Sequence, residues 1–81
     1  MINVLFFAQV KELVGVDRLE IDGEFTTAEA LRVHLTERGD KWPLALESGK
    51  LLVAVNQTIC HLESEIKDGD EVAFFPPVTG G

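Results

Sequence analysis

Between Phe25 and Gly39 the chain carries both ends of a helix and its buried stripe. Thr26 followed by Glu29 forms a capping box, and Phe25 and Ala30 occupy the positions of a hydrophobic staple. Ala28, Leu31 and Leu35 recur at helical spacing, and Gly39 stands where a left-handed C-cap belongs, so the pattern predicts a helix over about Thr27 to Arg38. Every other strongly patterned stretch of the 81 residues reads as strand, apart from a short segment around Trp42. One main helix can cover only one face of a sheet, so the second face must remain bare or find another cover.

Ile2 to Gln9 alternates two faces that are both apolar at the centre, as an interior strand does. After a break near Gly15, Arg18-Leu19-Glu20-Ile21-Asp22 alternates polar and apolar, which fits a half-exposed strand folding back as a hairpin on the first. Beyond the helix, Trp42 to Leu46 can make one helical turn, with Pro43 leaving its form open. Leu51 to Val55 is a β-rich run, Asn56-Gln57-Thr58 a turn, and Ile59 to Leu62 a short strand. Asp68-Gly69 then turns the chain into Glu71 to Phe75. The order β, β, α, β, short β, β gives an α+β fold of β-grasp, or ubiquitin-like, type: a mixed sheet with the main helix packed on one face. The expected division is a β-grasp domain over 1-75 and an extended tail over 76-81.

A chain this short buries only roughly 60% of its unfolded surface, which bounds it to one domain. Its 46% hydrophobic content is enough for a core. A formal net charge of -7 repels phosphate backbones and anionic lipid, so neither nucleic acid nor membrane is expected as a partner. The longest apolar runs, Val4 to Ala8 and Leu51 to Val55, fall far short of the roughly 20 residues of a membrane span. No basic region precedes the first of them, as an export signal requires. A single cysteine allows no internal disulfide, and a cytoplasmic location is the expectation.

The tail is the second informative feature. Pro76 and Pro77 lack amide donors, so they end the last strand and direct the chain away from the sheet. The six residues Pro76 to Gly81, at roughly 3.1 Å each in a polyproline-like path, reach about 19 Å. Gly80 and Gly81 have no side chains, which lets a terminal carboxylate pass a narrow channel. Fraying is the alternative reading of any such end.

The run Asp68-Gly69-Asp70-Glu71-Val72-Ala73-Phe74-Phe75-Pro76-Pro77-Val78-Thr79-Gly80-Gly81 resembles the small subunits of molybdopterin synthase, ubiquitin-like sulfur carriers of molybdenum-cofactor biosynthesis. Val4-Leu5-Phe6-Phe7-Ala8, Leu13-Val14-Gly15 and Ala54-Val55-Asn56 support the same resemblance, which covers nearly the whole chain. It implies that the Gly81 carboxylate is adenylated by an activating enzyme of the ubiquitin-activating type and then converted to a thiocarboxylate. It also implies that Pro76, Pro77, Val78, Thr79 and Gly80 insert into the synthase large subunit, where the sulfur passes to a pterin precursor, in a heterotetramer. The chain is then a co-substrate more than an enzyme: the catalytic pocket lies in the large subunit, ATP is used by the activating enzyme, and no cofactor is bound by this chain. Related carriers for thiamine synthesis or tRNA thiolation, and a ubiquitin-like binding module without chemistry, are the alternatives.

Other constellations carry less. Cys60 and His61 are neighbours that a strand points to opposite faces, so a thiolate-imidazole pair is not expected. Neither they nor His34 supply metal-ligand spacing, and Asp68-Gly69-Asp70-Glu71 is a turn rather than a calcium loop. The phenylalanines say more. Parity places Phe6 with Val4 and Ile2, and Phe74 with Val72, on one face. Phe7 and Phe75 fall on the other, with Asn3, Gln9 and Glu71. If the helix covers the first set, then Leu5, Phe7 and Phe75, joined by Ile59, form an uncovered patch suited to a partner. The alternative is that the Trp42 segment folds over them.

Overall fold

The computed structural model describes residues 1–47, 49 and 51–77. Its elements run β1 (Ile2–Phe6), α1 (Ala8–Val14), β2 (Arg18–Ile21), α2 (Ala28–Thr36), α3 (Trp42–Ala45), β3 (Leu52–Val55), β4 (Thr58–Cys60) and β5 (Glu71–Phe75). The strands form one sheet of order β2-β1-β5-β3-β4. β1 and β5 pair in parallel at its centre, and every other pairing is antiparallel, so the sheet is mixed as expected.

Parity places the core as the alternation requires. Ile2, Val4 and Phe6 of β1, Ile21 of β2, Val53 of β3 and Val72 and Phe74 of β5 are buried in one cluster with Val10 of α1, Ala28, Leu31 and Leu35 of α2 and Ala45 of α3. The Phe6 and Phe74 rings stack at 6.4 Å between centroids, and Trp42 meets Phe6 edge-on at 5.4 Å. All three helices therefore cover the same face. The Arg38 guanidinium lies 5.0 Å from the Trp42 ring centroid.

Three expectations need correction. Strand one stops at Phe6, and residues 8–14 form α1 instead of the end of a strand and a hairpin loop. The turn is made at Ala8, with φ 53°, and α1 is closed by Gly15 at φ 82°. Val10, Leu13 and Val14 supply the helical apolar spacing there, so Gln9 sits on a helix and leaves the strand's outer face. β1 and β2 still pair antiparallel, Ile2 with Ile21 and Leu5 with Arg18.

The second correction concerns the start of α2. The N-cap is Thr27, one residue beyond the expected Thr26, and its hydroxyl accepts from the Ala30 amide at 3.1 Å. Thr26 uses its carbonyl for the Ile66 amide, while the amides of Ala28 and Glu29 donate to the carbonyls of Ser64 and Leu62. The first two helical amides are thus satisfied by the 61–66 segment, which ties α2 to the connection between β4 and β5. Glu29, freed from the capping box, takes Arg32 in a two-pronged pair at 2.6 and 2.8 Å. Arg32 also donates to the Leu46 carbonyl at 2.8 Å, tying α2 to the end of α3. That pairing holds the Glu29 carboxyl below its ordinary range.

Third, the turn between β3 and β4 is two residues long, with Thr58 already in the strand and Leu62 outside it. Asn56 and Gln57 both have positive φ, 51° and 70°, as the hairpin turn that matches strand twist demands.

Candidate functional site

The face opposite the helices is read directly from the strand register, because paired residues point the same way. One row runs Arg18, Leu5, Ala73, Ala54 and Ile59 across β2, β1, β5, β3 and β4. A second pairs Phe75 with Leu52, and a third runs Glu20, Asn3 and Glu71. Ala54 and Ala73 are buried yet absent from the core cluster, since they lie between the larger Leu5, Leu52, Ile59 and Phe75 on the outer side. The expected patch of Leu5, Phe7, Ile59 and Phe75 is therefore one contiguous surface. Leu52, Ala54 and Ala73 also belong to it, and the alternation that assigned Phe75 would have found Ala73.

Phe7 sits just past β1, at the N-cap of α1, but its backbone stays extended and its amide donates to the Phe74 carbonyl at 3.3 Å. That continues the strand's path by one residue and leaves the ring 48% exposed. Ile59, on the edge strand, is 67% exposed. Leu5 and Phe75 are half-buried. The Trp42 segment does not cover this patch: its ring packs against Phe6 on the core side. Lys11 and Arg18 border the patch beside Leu5 and Phe7, and Glu20 and Glu71 lie at its other end.

At that far end Asp70 fixes the sheet's geometry. Its carboxylate accepts from the Asn56 side chain at 3.0 Å and the Lys67 amide at 2.8 Å, and the Asn56 side-chain oxygen accepts from the Glu71 amide. Those bonds, the Asn56 one foremost, hold the Asp70 carboxyl below its ordinary range. The 68–71 run is thus a turn locked to the β3–β4 hairpin. Cys60 is half-buried at the core's margin, and His61 lies beyond the end of β4, so no thiolate-imidazole pair is assembled by this strand.

The chain leaves the sheet at the opposite end of β5. β5 ends at Phe75, and Pro76 and Pro77 carry the chain out of the sheet, Pro76 half-buried and Pro77 exposed. Of the tail residues singled out from the sequence, Val78, Thr79, Gly80 and Gly81 lie outside the described residues. The result is an apolar sheet face whose Phe75 immediately precedes the departing tail. Among the described residues no helix is long and apolar enough to cross a membrane.

A five-stranded mixed sheet with its helices on one face and a C-terminal strand at its centre defines the ubiquitin-like β-grasp class. Small archaeal modifier protein 1 of Methanosarcina acetivorans superposes with a TM-score of 0.76 at 25% identity, covering 99% of this chain and 95% of that one. Within that class the chain belongs to the ThiS family, whose profile matches residues 4–81. It is 67% identical to the molybdopterin synthase sulfur carrier subunit of Haemophilus influenzae and 63% identical to that of Escherichia coli, each over 100% of both chains. A solved complex of subunits 1 and 2 of the molybdopterin-converting factor from Helicobacter pylori contains a chain matching with a TM-score of 0.67 and 28% identity, over 99% of this chain and 97% of that one.

Proposed function

We infer that this protein is a sulfur carrier of molybdopterin synthesis whose working group is the Gly81 carboxylate. The observation that carries the reading is the end-to-end match to proteins named as sulfur carrier subunits, which runs through Gly81. A carboxylate resists sulfur nucleophiles because oxide is a poor leaving group. In the proposed sequence a Gly81 carboxylate oxygen attacks the α-phosphorus of ATP on the activating enzyme and pyrophosphate departs. A sulfide-level nucleophile, HS⁻, then adds to the acyl carbon, AMP leaves with the bonding electrons, and loss of the S–H proton leaves a thiocarboxylate. The tail carries that sulfur into the large subunit, where it passes to the pterin precursor.

The body's task in this scheme is docking. Leu5, Phe7, Ile59 and Phe75, with Leu52, offer an apolar surface beside the tail's exit, and the subunit complex known for the Helicobacter pylori relative supports a large subunit as its partner. Phe75→Arg is expected to weaken binding of the large subunit by about 100-fold, because the charge meets water in the free protein and desolvation in the complex. Calorimetric titration checks this, with circular dichroism confirming an unchanged fold. Wild-type affinity in a folded Phe75→Arg protein would remove the face from the docking site.

A further inference from the structure

On the helix side of the tail's exit lies a groove of about 240 Å³. Val10 of α1 and Ala45 of α3, both buried, form its floor. Leu13 of α1, Leu44 of α3 and Pro76 form its walls, and Leu44 is 63% exposed. Gln9 and Glu47 add polar groups to an otherwise apolar lining. The groove and the outer face flank the same point: Phe75 belongs to the face, and Pro76, the next residue, to the groove.

We propose that this groove is a second docking wall, filled by an apolar side chain from the rim of the large subunit's tail channel. The proposal rests on the reading above, that the tail enters such a channel. A channel that encloses the tail at Pro76 and Pro77 has a rim on both sides of them. One side of the rim meets the outer face, and the other comes against Pro76's own neighbours in the groove. Left unfilled at an interface, the groove would trap water against the apolar side chains of Val10, Leu13, Leu44, Ala45 and Pro76. A large aliphatic or aromatic side chain fills it and covers Leu44, with a donor beside it for the Glu47 carboxylate. Interfaces of this kind place an apolar anchor in a pocket with polar groups at the margin.

The test titrates the large subunit with full-length variants, each first shown to be folded by circular dichroism. Leu44→Asp charges the wall, and Gln9→Trp fills the groove, both from exposed positions where the fold tolerates substitution best. Each is expected to weaken binding at least about tenfold. Leu44→Met, which preserves volume, and Val33→Asp, on the exposed face of α2, should stay within about twofold of wild type. If the folded Leu44→Asp and Gln9→Trp proteins bind like wild type, the groove is not part of the interface. Loss of binding in Phe75→Arg alongside that result would leave the sheet-face reading standing and overturn the groove alone. Equal loss in Val33→Asp would also overturn it, because the effect would then follow charge and not position.

Discussion

Appending one residue after Gly81 is expected to abolish sulfur transfer while leaving the thermal midpoint unmoved. The reacting carboxylate in the proposed scheme is defined by position: an added residue turns Gly81's acyl carbon into an ordinary amide and moves the free carboxylate one residue further on. An amide nitrogen is a far worse leaving group than an acyl phosphate, so the activation step has nothing to act on. Any added residue other than glycine also brings a Cβ to a channel that two glycines are suited to pass. Among the described residues the core cluster meanwhile ends at Phe74. A reconstituted assay comparing a C-terminally extended protein with an N-terminally extended one checks the prediction. Full activity with the C-terminal extension still attached would favour a plain binding module.

Phe74→Arg is expected to unfold the domain, although Phe75→Arg one position away leaves it folded. Phe74 is fully buried on β5, between β1 and β3, and stacks on Phe6. Truncating such a phenylalanine costs about 3–5 kcal/mol from the lost burial and the cavity. A domain of this length has roughly 4–12 kcal/mol of total stability at the usual 0.05–0.15 per residue. A guanidinium in that space adds the cost of an unpaired buried charge, several kcal/mol more, so the combined loss is comparable to the whole stability of the domain. Far-UV circular dichroism and urea melts on the pair test the face assignment directly. Equal loss of structure in both variants would mean that Phe75 is also a core residue.

The strand parity that separates those two neighbours was legible in the chain because the side-chain period of a strand leaves two options per residue. Ile2, Val4 and Phe6 could share a core only if Leu5 looked the other way. The α2 stripe was equally clear, since Ala28, Leu31 and Leu35 admit no strand reading. What escaped was α1. Its first residues continue an apolar strand, Phe7 keeps extended backbone, and the break comes from a positive φ at Ala8 that an alanine does not announce. The Thr26 and Thr27 ambiguity was also local: two adjacent hydroxyls both suit an N-cap. The choice between them is made by Ser64, Leu62 and Ile66, contacts that no window around the helix contains. The groove beside Pro76 depended on α1 and was invisible for the same reason.

The central claim is that Gly81 carries the sulfur. Its most direct test incubates the protein with the activating enzyme, ATP and a sulfur donor, followed by intact and peptide mass spectrometry. The account predicts a mass gain equal to one sulfur less one oxygen, confined to the C-terminal peptide and unchanged in Cys60→Ser. Sulfur found on Cys60 instead, or no ATP-dependent change at Gly81, would contradict it.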